Sequence, residues 1–154
     1  MPKEIERKFL VINHNYKTDA QAFFFKQGYL SVESGRTVRI RTYNNKGFIT
    51  IKGKAQNFSR DEFEYEIPVD EADIMLDNLC IKPLIEKIRH FVMYKGNEWV
   101  IDEFFGVNKG LVVAEIELES EEQTFEKPEW LGQEVTLDRR YGNSHLVRKP
   151  YSEW

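Results

Sequence analysis

Along most of this chain hydrophobic and polar residues alternate with a period of two, the repeat of a strand that shows different chemistry on its two faces. The pattern occurs over approximately Lys3–Val11, Lys26–Val32, Arg36–Tyr43, Gly47–Gly53, Arg60–Val69, Leu84–Tyr94, Glu98–Phe105 and Leu111–Ser120, which predicts eight strands. Connections such as Asn44-Asn45-Lys46-Gly47 and Lys95-Gly96-Asn97 are short and rich in residues that tolerate positive φ, so antiparallel hairpins are expected. Helical signals are fewer. Asp70 ahead of EADIMLDNL predicts a capped helix from about Glu71 to Leu79. The four-residue recurrence of Leu137, Tyr141 and His145 predicts another from about Asp138 to Val147, while Asn13 to Phe25 carries a weak signal for a short one. No repeat, low-complexity stretch or linker divides residues 1–154, so one domain is expected. Many strands and few helices place it in an all-β dominated (α+β) class, as a closed or nearly closed antiparallel barrel, a form that hides strand edges.

Composition narrows the class. A hydrophobic fraction of 41% with 31% charged residues suits a soluble globular domain. The opening MPKEIERKFLV has neither an apolar h-region nor a cleavage site, and no apolar run approaches a bilayer span, so a cytoplasmic protein without membrane contact is expected. Cys80 is the only cysteine, which excludes an internal disulfide and makes packing its expected role. A formal net charge of -4 argues against a general nucleic-acid binder.

The arrangement of charge says more than its sum. Glu4, Glu6 and Lys8 share one face of the first strand, and Ile5, Arg7 and Phe9 share the other. Arg39 and Arg41, Lys52, Arg60 with Glu62 and Glu64, Lys87 with Arg89, Asp102, and Glu115 with Glu117 and Glu119 likewise alternate with apolar neighbours. Each such face, taken alone, reads as the solvated side of a sheet. Together they read differently, because a plain surface mixes signs within a strand to gain cross-strand pairs. Here paired cations recur on two strands and paired acids on three. Paired Arg and Lys bind phosphate oxygens through charge-assisted hydrogen bonds, and paired carboxylates hold hard divalent cations. A polyphosphate with its magnesium or manganese would neutralise both sets. The histidines add little, since His14 falls in a loop, His90 has the opposite parity to Lys87 and Arg89, and His145 lies on the last helix.

EIERKFLV, from Glu4 to Val11, carries an ExExK pattern that resembles the signature of the CYTH family of triphosphate tunnel metalloenzymes. KQGYL, VRIRTY, TIKG, SRDEFEYEI, EKIR, VIDEF, VVAEIELES and LGQEVTLDRRYGNSHL resemble the family's further blocks in the family's order. The resemblance implies a tunnel of eight antiparallel strands with its charged residues turned inward, a few peripheral helices, and a C-terminal helix closing one end. The alternation alone permits that orientation without requiring it. By the same resemblance Lys8, Arg39, Arg41, Lys52, Arg60, Lys87, Arg89 and Arg140 would grip phosphates. Glu4, Glu6, Glu62, Glu64, Asp102, Glu115 and Glu117 would form the metal-binding set, and Tyr29, Lys87 and Glu6 would take part in the chemistry. Tyr29 matches a proposed proton acceptor, but a phenol near its ordinary pKa is a poor base at neutrality, and packing is its other reading. Arg139 is expected at the surface.

The implied activity begins with a metal-bound triphosphate: inorganic triphosphatase with weaker nucleoside triphosphatase activity, with Mg2+ or Mn2+ as cofactor and inorganic triphosphate or ATP as the small-molecule partner. No added segment suggests a base-recognition slot, and Phe104, Phe105 and Trp130 read equally as core. The alternatives are a class IV type adenylate cyclase, or a polyphosphate-binding module without catalysis, against which the intact acidic pairs weigh. A homodimer would cover an apolar outer face.

Overall fold

The computed structural model describes residues 3–154. Nine strands form one antiparallel sheet: β1 (Lys3–Val11), β2 (Gln21–Glu33), β3 (Arg36–Tyr43), β4 (Lys46–Gly53), β5 (Ser59–Ile67), β6 (Ile81–Tyr94), β7 (Asn97–Phe104), β8 (Val112–Glu117) and β9 (Leu131–Glu134). Their order is β5-β4-β3-β2-β6-β7-β8-β1, and β1 pairs back onto β5 through Lys3, Glu4 and Ile5, so eight strands close a barrel. β9 was not predicted. Four residues long, it pairs with β1 at Phe9 and Val11, where β5 no longer reaches.

Local chemistry fixes the hairpins. Asn44 and Asn45 both adopt positive φ between β3 and β4, as do Lys95 and Gly96 between β6 and β7, matching the twist that two-residue turns require. β2 starts at Gln21, five residues before the predicted strand, and takes over most of the segment with the weak helical signal, of which only a 3₁₀ turn at Asn15–Lys17 is helical. Helix α1 (Val69–Asn78) begins beyond Pro68, so Asp70 lies in its first turn instead of capping it.

The barrel has an apolar outside over two sectors. On β7, β8 and β1, Trp99, Ile101, Ile116 and Phe9 point outward and are covered by Tyr16, Leu118 and Trp130 from flanking loops. Across β2, β3 and β4, Ile40 packs beneath Ala72, Leu76 and Cys80 of the α1 segment. Gly47 permits that approach, since a Cβ there would stand 2.7 Å from the Ala72 Cβ. Cys80 is buried and unpaired, consistent with packing. The outer faces of β4 and β5 stay barer, with Ile51 and Tyr65 exposed.

Inside, one end is plugged. The predicted C-terminal helix divides into a 3₁₀ turn (Arg139–Tyr141) and α2 (Asn143–Arg148), because Gly142 is extended between them. Leu146 and Val147 of α2 enter the barrel against Tyr29, Ile85, Phe104 and Val113. Among the described residues no helix is long and apolar enough to cross a membrane.

Candidate active site

The register sets the charges on the inner wall in rows. Arg39 lies opposite Thr50 and Thr50 opposite Glu64; Arg89 lies opposite Asp102; Lys8 faces Glu115 and Glu6 faces Glu117. These residues, except Thr50 and Asp102, line a cavity of about 480 Å³ together with Glu4, Tyr29, Arg41, Lys52, Arg60, Glu62 and Lys87. Charged strand faces thus point into the barrel, and their apolar neighbours carry the outer packing.

The cavity has a basic wall and an acidic one. On the basic side Lys87 Nζ donates to Asp102 Oδ2 at 2.8 Å, and Arg89 makes a two-pronged contact with the same carboxylate at 2.8 and 2.9 Å. Burial would raise the Asp102 carboxyl, but Arg89 and Lys87 outweigh it and hold the group well below the usual carboxylate range. Burial, helped by Arg89 and Arg41 against the pull of Asp102, draws Lys87 well below an ordinary lysine. Arg39 Nη2 donates to Thr50 Oγ1 at 3.1 Å, while its buried Nε has no partner and stands ready for an anion.

On the acidic side Lys52 donates to both oxygens of Glu4 at 3.0 Å and lies 3.2 Å from Glu62, while Arg60 is 3.3 Å from Glu4. Burial opposes the ionisation of Glu4, yet Lys52 and Arg60 keep it charged. Lys8 lies 3.6 Å from Glu115. Glu6 is left short of positive charge: burial, with Glu115 and Glu4 nearby, pushes it up to about 8. Burial and the neighbouring Glu4 also raise Glu117 and Glu62.

Among the described residues no three carboxylate, histidine or cysteine side chains converge on one point. The acids turn to lysines and arginines instead. The donor set nevertheless fits a hard divalent cation in its chemistry, since the crowded carboxylates around Glu6 lack the charge that such an ion supplies.

Two placements differ from the expectations. Asp102 lies behind Lys87 and Arg89, 1% exposed, with both oxygens occupied, so it is the counter-ion of the basic wall and not part of the acidic one. Arg140 turns outward to Asp138 and over the rings of Tyr141 and Trp154, while Arg139, exposed as expected, lies at the cavity mouth. Tyr29 lines the cavity with its ring packed in the apolar plug. Phe104 and Trp130 are core residues. Sequence reasoning missed the neutral Gln27 and Asn143. Gln27 shares its strand parity with Tyr29 and could have been found so; Asn143, beyond the extended Gly142, left no periodic signal.

A CYTH domain family model matches residues 2–151. The chain is 49% identical over 154 residues to an inorganic triphosphatase of Acetivibrio thermocellus, covering all of this chain and 99% of that one. It is 35% identical over 148 residues to an inorganic triphosphatase of Nitrosomonas europaea, covering 94% and 96%. The crystal structure of an inorganic triphosphatase superposes with a TM-score of 0.69 at 32% identity, over 94% of this chain and 97% of that one. A putative adenylate cyclase from Bacillus halodurans shares the fold alone, with a TM-score of 0.60 at 19% identity over 79% and 84%. With inward charge, a closed eight-strand ring and a family model matched along nearly its whole length, this chain belongs to the CYTH domain family.

Proposed function

We propose that this protein is a metal-dependent inorganic triphosphatase of the cytoplasm, with weaker action on nucleoside triphosphates. The observation that carries the reading is a basic wall and an acidic wall facing one another across one cavity. Names borne by relatives at 49% and 35% identity support the same substrate. Arg39, Arg41, Lys87 and Arg89 would bind and orient phosphate oxygens, with Lys8, Lys52 and Arg60 drawn toward the substrate from their acidic partners. Glu6, Glu117, Glu4 and Glu115 would hold Mg2+ or Mn2+, which when bound polarises the phosphoryl oxygens and acidifies water. Tyr29, held at the cavity edge by its apolar neighbours, is the candidate for taking a proton from the attacking water.

The test is a substrate panel with magnesium and manganese, reading phosphate, pyrophosphate and cyclic AMP separately. Phosphate release from inorganic triphosphate well above that from ATP, without cyclic nucleotide, is the expected result. Cyclic AMP as the main product from ATP would give the function to a cyclase. Binding of polyphosphate without turnover would leave a binding module.

A further inference from the structure

Among the described residues, the cations that the strands turn into the lumen are matched with carboxylates, with one exception. Lys8 has Glu115, Arg39 has Glu64, Lys52 and Arg60 have Glu4, and Lys87 and Arg89 have Asp102. Arg41 has no carboxylate within ion-pair distance. It is 8% exposed, its Nε donates to the neutral Oε1 of Gln27 at 3.2 Å, and its guanidinium carbon lies 5.1 Å from the centre of the Phe25 ring.

The cradle around Arg41 is built to stay neutral. Gln27 is fully buried, and its Nε2 donates to Asn143 Oδ1 at 2.9 Å. That oxygen also accepts from Lys87 Nζ at 3.0 Å. Lys87 and Arg41 can only donate, so the orientation of both amides is forced: Asn143 must offer its oxygen to Lys87, Gln27 must offer its nitrogen to Asn143, and the Gln27 oxygen is left for Arg41. Below, Phe25 is stacked on Tyr43 at 4.2 Å and also lies under Arg89 at 5.2 Å, so its π face serves two guanidinium groups. Burial, together with Arg39 and Arg89, draws Arg41 down to about 9, the mark of a cation without its counter-charge.

We propose that Gln27 is a positioning residue, which gives Arg41 a neutral partner and so reserves this guanidinium for a phosphate oxygen of the substrate. The proposal rests on the triphosphatase reading. A phosphate arriving at Arg41 displaces no carboxylate, whereas at Lys8 or Lys52 it must compete with Glu115 or Glu4. Arg41 is then where the anion gains most on entry, and a residue that neutralised it would weaken binding without touching the acidic wall.

The test compares Gln27→Glu with Gln27→Met in the full chain, by steady-state hydrolysis of inorganic triphosphate and by calorimetric titration with the same compound. Glu keeps the hydrogen bond to Arg41 but adds a competing charge, so KM and Kd should rise at least about tenfold with kcat within about threefold. Met adds no charge and loses both hydrogen bonds, and should raise KM by no more than about threefold. A purely structural Gln27 gives the opposite order, with Met the more damaging, and that order overturns the proposal. In an Arg41→Gln background the Glu penalty should vanish, and its persistence would also overturn the proposal. If Gln27→Glu fails to fold, a Met variant with more than tenfold loss decides against the proposal, and one within threefold supports it. A wild-type protein that binds triphosphate without hydrolysing it overturns the activity reading, while the Kd comparison still decides the role of Gln27. A wild type that does not bind it overturns both.

Discussion

Glu6 sits in an environment far from that of water, and the consequence can be measured. Its folded value is near 8 and the ordinary value 4.5, raised by burial first and by Glu115 and Glu4 next. The sign follows from linkage: a carboxyl with a raised folded pKa costs nothing below the ordinary value, and destabilises the fold increasingly as pH rises toward the folded one. In chelator, Glu6→Gln should therefore melt with wild type near pH 4.5 and above it near pH 8, by on the order of a few kcal/mol. Triphosphate hydrolysis by the same variant should collapse. An identical melting difference at both pH values would show that Glu6 is not titrating in this range. A divalent cation added to wild type at pH 8 should recover much of the missing stability, since it supplies the charge that Glu6 lacks.

Among elements, the strands of the ring were legible because their period of two survives folding intact: β1 and β3 have the predicted bounds, and most others differ by one to three residues. The lumen charges were legible for the same reason. What periodicity could not supply was the inner direction of those faces, β9, and the division of the last helix. β9 is four residues long and defined by its partner β1, and the break at Gly142 is a backbone choice without a side chain to announce it. Asp102 and Gln27 show a further limit: the alternation marks a residue as inward, but whether it meets solvent, ligand or another side chain depends on neighbours brought from distant strands. Helix α2 gives this scale its prediction. Leu146 is fully buried against Ile85, Phe104 and Val113, so Leu146→Ala should cost about 2–5 kcal/mol. The loss loosens the segment that seats Asn143 beside Lys87 and Gln27, so KM for triphosphate should rise as well. Thermal melts and kinetics on one preparation test both, and a destabilised variant with unchanged KM would separate the plug from the site.

At the scale of the whole molecule the closed ring turns charge into a coupling device. Of the strand residues turned inward, Lys8, Arg39, Arg41, Lys52, Arg60, Lys87 and Arg89 stand against Glu4, Glu6, Glu62, Glu64, Asp102, Glu115 and Glu117, one acid for each cation. An enclosed site of low dielectric penalises any net charge brought into it. Triphosphate alone leaves the acids facing added negative charge once their lysines turn to the phosphates, and metal alone adds positive charge beside arginines. Together the two additions offset one another in large part. Each should therefore strengthen the binding of the other by the same factor, as linkage demands. Melting with magnesium or manganese alone, triphosphate alone in chelator, and both together would read this directly. The expected result is a combined shift well beyond the sum of the separate ones, and turnover abolished by chelator. Calcium should stabilise the complex yet support little hydrolysis, because its looser coordination holds the phosphates without fixing them for attack. Shifts that simply added would mean that anion and cation occupy the lumen independently, and the two facing walls would then not act as one site.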